Sequence, residues 1–240
     1  MKNPHPPGCF WHQAAEVFGA PEVKYCEETL CQFISEPWNT WSNLPIIFVG
    51  LAAMFFAKRS AYPWFRALSL SVATVGLLSA IYHLSNNLLT QILDYFSMYL
   101  VIGLVGTLGV HRRGWISKKR VWAWYVGGFF LVCALLLAMF GLRIPFQWTN
   151  VLLVAVIVNE VVVSRQTGLP LTPLYLACLC FALSISSQVL AVNKTLCSAD
   201  FGFIEMHVFW HLFNAIGLGF YLKFCFNIKE EQYLKAGSGS

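Results

Sequence analysis

Seven long apolar runs divide the chain, at about 43–57, 64–84, 90–110, 120–142, 146–164, 171–192 and 204–226. Runs of about 20 residues span the hydrocarbon core of a bilayer as helices. In lipid every backbone N–H and C=O must be satisfied within its own segment, which makes helix the expectation for each run. The first run is short and borrows a polar turn, Trp38 to Ser42. Turn chemistry separates the runs: Tyr62-Pro63, Ser85-Asn86-Asn87, Arg143-Ile144-Pro145 and Gly168-Leu169-Pro170. The pattern predicts an all-α, seven-transmembrane helix bundle with short loops. Residues 1–42 then form an extramembrane N-terminal segment, 43–227 the helical domain, and 228–240 a cytoplasmic tail. The closing Gly237-Ser238-Gly239-Ser240 reads as a flexible linker scar.

Composition supports the membrane reading. Hydrophobic residues make up 58% of the chain and charged residues 11%, against roughly a quarter charged in soluble domains. The polar stretch from Met1 to Asn43 does not resemble a cleavable signal peptide. Seven spans put the termini on opposite sides. Twelve of the 16 Lys and Arg then fall on the C-terminal side: Lys58, Arg59, Arg66, Arg112, Arg113, Lys118, Lys119, Arg120, Arg165, Lys223, Lys229 and Lys235. Lys2, Lys24, Arg143 and Lys194 fall on the other. By the positive-inside rule the N-terminus is outside or lumenal and the C-terminus cytoplasmic. The expected location is a multi-pass one, in the ER or Golgi membrane of a eukaryote or the inner membrane of a bacterium. The net charge of +5 is accounted for by topology and calls for no nucleic-acid partner.

Ionisable groups inside spans are costly and mark candidate sites. His83 closes the second run, with Ser79 one turn earlier on the same face, and Asp94 lies one turn into the third. His207 and His211 open the seventh, and a spacing of four puts both imidazoles on one helical face. The alternation of spans brings all four ionisable groups to similar depth near the N-terminal side. Three imidazoles with one open position suit a catalytic zinc, and a nearby carboxylate suits proton transfer. Interface hydrogen bonding is the alternative reading of the histidine pair, helix capping that of Asp94, and bonding to its own helix backbone that of Ser79. Glu160, near the cytoplasmic end of its run, reads as interfacial. His5, His12 and His111 fall in a flank or loop and receive no role.

The order Ser-x-x-x-His, an Asp eleven residues later and a late His-x-x-x-His resembles the superfamily of alkaline ceramidases, adiponectin-type receptors and related membrane hydrolases. Tyr25-Cys26-Glu27-Glu28, the run Glu36-Pro37-Trp38-Asn39-Thr40-Trp41-Ser42-Asn43 and Trp210 before His211 bring it nearest the alkaline ceramidases, over about Tyr25 to Asn227. The resemblance implies a seven-helix zinc amidase that cleaves ceramide to a sphingoid base and a fatty acid. By position His83, His207 and His211 hold zinc, Asp94 deprotonates water, and Ser79 helps hold that water or the oxyanion. The family also implies a calcium site, for which Glu27 and Glu36 remain. Lys24, Tyr25 and Thr29 stand where it has Asp, Trp and Asn. A cation at a ligand position argues against a normal site, because calcium needs six to eight oxygens.

Two other classes stand beside this reading. One is an adiponectin-receptor-like zinc receptor, or a hydrolase of another amide or ester lipid. The other is a haem or retinal protein, although Lys223 sits near the end of its run rather than mid-span.

Four of the eight cysteines, Cys133, Cys178, Cys180 and Cys225, lie inside runs, where they read as small apolar residues. Cys9, Cys26, Cys31 and Cys197 all fall on the outer side and allow three pairings. Cys26–Cys197 is favoured because it would tie the N-terminal block to the loop before His207, with Cys9–Cys31 left over; four free thiols are the alternative. Asn193-Lys194-Thr195 in the same loop is a glycosylation acceptor if the source is a eukaryote.

Overall fold

A computed structural model describes residues 3–144, 150–166, 170–197 and 205–228. Among these residues it is all-helical, with nine α-helices and two single 3-10 turns. The helices are α1 (His12–Phe18), α2 (Pro37–Trp41), α3 (Leu44–Phe56), α4 (Phe65–Ser85), α5 (Leu88–Arg112), α6 (Val121–Gly141), α7 (Asn150–Ser164), α8 (Thr172–Val192) and α9 (Met206–Phe226).

Six segments are long and apolar enough to cross a membrane: Pro37–Arg59, Phe65–Ser85, Leu88–Arg112, Lys118–Gly141, Thr172–Val192 and Met206–Phe226. The chain is a multi-pass membrane protein. The run predicted at 146–164 yields the shorter apolar helix Asn150–Ser164; residues 145–149 lie outside the described residues, as do 198–204, which include the start predicted for the last span. The polar turn at Trp38–Ser42 does join the first span, because Pro37 opens α2 at its first position, where proline's missing N–H costs nothing. Helix α5 runs further than predicted and takes in His111, which bonds the Ile116 carbonyl at 2.7 Å instead of lying in a loop.

Helix α4 is the centre of the bundle. It packs against α3, α5 and α9; α8 lies along α9, and α5 also meets α6 and α7. Small residues let α3 and α4 approach closely, as glycines do between membrane helices. A Cβ on Gly76 would stand 2.8 Å from the Ile47 backbone nitrogen. Helix α6 is the outlying element, with Phe130 and Leu131 exposed on it.

The turn between α4 and α5 sets one end of the site. Asn86 ends α4 in the left-handed region (φ 44°, ψ 58°), a conformation asparagine tolerates, and the Asn87 side chain caps α5 by accepting from the Thr90 N–H. The segment before α2 lies over this turn. Gly19 accepts from the Leu88 N–H at 3.0 Å, the Glu22 N–H donates to Gln91 at 2.7 Å, and the buried His5 bonds the Ser85 carbonyl at 3.0 Å.

Two disulfides fasten that segment, Cys9–Cys31 and Cys26–Cys197, with Cα separations of 5.0 and 5.4 Å; Cys133, Cys178, Cys180 and Cys225 are free. The second bridge joins residues 171 positions apart. A crosslink over so long a loop restricts the unfolded chain, and we expect Cys26→Ser to lower stability by about 3–5 kcal/mol. Thermal unfolding in detergent, alongside mass mapping without reductant, checks this: an unchanged melting temperature, or free alkylation of Cys26 and Cys197, counts against the bridge.

Candidate metal centre

His83 sits in the last turn of α4, and His207 and His211 in the first two turns of α9. The three rings are essentially inaccessible, at 0%, 3% and 2% exposure. One ring nitrogen from each lies within 4.8 Å of the other two, and the Nε2 atoms of His83 and His207 are 3.2 Å apart.

Each histidine is oriented from behind through Nδ1. His83 donates to Glu36 Oε2 at 2.7 Å. His207 donates to Gln188 Oε1 at 2.7 Å. His211 donates to Ser42 Oγ at 2.6 Å, whose own proton goes to the Asn39 carbonyl. Donation from Nδ1 leaves the lone pair of each ring on Nε2, and the three lone pairs face one another. His211 Nε2 is buried without a hydrogen-bond partner. Unsatisfied lone pairs converging in a buried place are costly, and a divalent cation would relieve all three. Three neutral nitrogens, each backed by an acceptor, is a donor set that suits zinc. The residues present fit the ion.

The backing residues come from three segments. Glu36 is the residue before α2, and the Ser35 and Glu36 N–H groups donate to the Leu84 and His83 carbonyls. Gln188 is on α8 and takes its orientation from Tyr25, whose hydroxyl accepts from Gln188 Nε2 at 3.1 Å. Tyr25 also stacks on His207, ring centroids 3.5 Å apart. Glu205, just before α9, accepts from the Cys26 N–H at 2.7 Å. The bridged N-terminal segment therefore braces two of the three histidines.

Asp94 and Ser79 stand outside the nitrogen cluster. Ser79 faces the Asp94 carboxyl closely enough to influence it, and both line a cavity that His211 and Asn43 also line. The cavity opens outward, and together with its solvent-filled mouth it spans about 940 Å³. Its wall is apolar, formed by residues such as Val75, Met98, Ile102 and Leu218.

The carboxylates assigned from sequence to calcium have partners within the protein. Both oxygens of Glu27 accept backbone N–H groups at the start of α2, from Trp38 and Asn39 at 2.7 and 2.8 Å. Burial still pushes its carboxyl up to about 8. Glu36 is bonded to His83 and, through Oε1, to Asn86 at 2.8 Å. Burial pushes Glu36 up to about 7, and the Lys24 cation is the largest influence opposing that rise. The Lys24 ammonium donates to Thr29 Oγ1 at 2.9 Å, and Asn86 donates to the same hydroxyl.

Glu160, read from sequence as interfacial, is buried within the protein and paired with Arg112, which also donates to Ser164 at 3.3 Å. Sequence reasoning missed this because the partner lies 48 residues away at the end of α5. It also missed Ser42 and Gln188. A glutamine within an apolar run was a usable signal; a serine beside a tryptophan was not.

These features define a multi-pass helical membrane protein with a buried cluster of three histidines able to hold a metal ion, set above an apolar cavity. The chain belongs to the ceramidase family: a model of that family, described as Ceramidase, matches residues 20–236. The match takes in the bracing segment from Ala20 onward as well as every residue of the centre. No curated protein matches the chain.

Proposed function

We propose that the chain is a zinc-dependent amidase that hydrolyses the N-acyl bond of ceramide to a sphingoid base and a fatty acid. The convergence of three Nε2 lone pairs beside the Asp94–Ser79 pair carries this reading, and membership of the ceramidase family supports it. His83, His207 and His211 would hold the ion. A zinc ion there would supply Lewis-acid polarisation of the amide carbonyl and a lowered pKa for water.

Asp94 accepts the proton of the attacking water as it adds to the carbonyl carbon. Ser79 stands beside Asp94, and once Asp94 has taken the water proton the single Ser79 hydroxyl proton can be donated to the oxygen on which charge develops. The C–N bond then breaks, the proton passes to the departing amine, and a carboxylic acid remains. The cavity wall takes the hydrocarbon and keeps bulk water from the bond.

In this reading the segment up to the first span, which starts at Pro37, forms a cap outside the membrane, the helices through 227 the seven-helix hydrolase domain, and 228–240 a cytoplasmic tail. Asn150–Ser164 completes the seven, and the Lys and Arg distribution puts the cap on the outer or lumenal side. The test is a screen of purified protein against ceramides, N-acylethanolamines and phospholipids, with and without chelator. Chelator-sensitive release of fatty acid from ceramide is expected. No hydrolysis of any lipid, with metal bound, would favour the receptor class instead.

Calcium is expected to leave activity unchanged. The Lys24 ammonium beside Thr29 opposes a second cation near Glu36, and the oxygens of Glu27 are already engaged. Calorimetry that found micromolar calcium binding, lost in Glu27→Gln, would contradict this.

A further inference from the structure

The cavity under the histidines is polar at its two ends and apolar between them. Asn43, Ser79, Asp94, His211 and, about one turn below it on α9, Asn214 lie toward the upper end; Glu160 and Tyr221 line the lower. Glu160 is held by the Arg112 guanidinium, and Ser164 Oγ donates to its second oxygen at 3.3 Å. Arg112, Glu160 and Ser164 are all buried. A long side chain on a helix leans toward the N-terminal end of that helix, so Arg112, the last residue of α5, reaches back under the cavity.

We propose that the Arg112–Glu160 pair is the floor of an acyl-chain pocket and sets the length of N-acyl chain the enzyme prefers. This rests on the amidase reading above. When the amide carbonyl lies at the histidine end, its own hydrocarbon tail must start into the apolar space directly below. The sphingoid part carries hydroxyls next to the amide and is better matched to the polar rim.

Depth follows from helix rise. Measured below the histidine, the lining on α9 reaches from His211 to Tyr221, ten residues, and on α5 from Asp94 to Val105, eleven. At 1.5 Å per residue that is about 15–16.5 Å. Extended chains advance about 1.2 Å per bond, so the straight pocket accepts roughly 12–14 bonds. A longer chain would press methylenes onto a buried ion pair, which cannot give up its partners without leaving a charge uncompensated. A tail that stops short leaves apolar wall unfilled. One misfit methylene in such a pocket costs about tenfold or more in kcat/KM.

The test is kcat/KM for the zinc-loaded protein in mixed micelles against a series of ceramides with octanoyl, lauroyl, myristoyl, palmitoyl, stearoyl and lignoceroyl chains. The parent should peak at lauroyl or myristoyl and fall by about tenfold or more at stearoyl. Replacing both charges together, Arg112→Leu with Glu160→Ala, avoids stranding either one and opens the floor. Its optimum should move to longer chains by about three methylenes, the reach of the side chain removed. Val156→Phe, one turn of α7 above Glu160, leaves the ion pair in place and fills the pocket midway. Its optimum should move to shorter chains, which keeps the inference testable if the double variant does not fold. Hydrolysis with a flat chain-length profile, or with one that neither variant moves, overturns the floor and leaves the amidase reading standing. Metal-loaded parent that cleaves no ceramide at any chain length overturns the amidase reading itself.

Discussion

His211→Ala is expected to strip the protein of metal and activity together. The parent should carry about one zinc per chain by elemental analysis, and the variant a small fraction of that. Loss of a residue that only orients a ligand typically costs about 10–100-fold in affinity or activity, so loss of a ligand should exceed it. His211 Nε2 is buried and has no hydrogen-bond partner, so the change removes a nitrogen that nothing else in the protein uses. Gln188→Leu offers a graded comparison. It deletes the acceptor behind His207 and leaves all three nitrogens, so the about 10–100-fold range applies to it directly. Full zinc occupancy in the double change His207→Ala with His211→Ala would place the metal elsewhere.

Asp94→Asn should separate metal binding from chemistry. The asparagine has nearly the same shape, but it cannot take a proton. Asp94 is outside the nitrogen cluster, so zinc content should stay at the parent level. Ceramide hydrolysis should fall by about 10²–10⁴-fold, the usual worth of a positioned general base. Parent-level turnover in a zinc-replete variant would remove Asp94 from the mechanism. Zinc loss in step with activity would make it a structural residue of the centre.

The parts of the fold that were legible in the sequence are those fixed by local rules. Apolar runs near the thickness of a bilayer become helices because their backbones have no other partner, and the ends at Phe65–Ser85 and Thr172–Val192 fall within a residue of the predicted ones. His207 and His211 could be read together because four residues make about one helical turn. The run at 146–164 was harder. Its apolar character was clear, but among the described residues its helix begins only at Asn150.

What the chain did not disclose is long-range pairing between polar groups. Glu36 bonds a histidine 47 residues on, and Ser42 one 169 residues on. No periodicity links such positions. Glu36 entered the sequence reading only through the family's calcium site, and its histidine partner shows only in space. The same holds for Glu160: a lone acid near the end of an apolar run does not disclose the buried Arg112 beside it.

The centre also has a biosynthetic consequence. Its first histidine comes from α4, early in the chain, and the other two from α9, the last helix among the described residues, while Cys26 must wait for Cys197. Through most of synthesis the emerging protein therefore holds one imidazole of three and an unpaired thiol. The cluster cannot assemble gradually as helices are added. It is completed in one late event, when α9 takes its place beside α4, so a ribosome-stalled or truncated product lacking α9 would hold one of the three imidazoles and no centre.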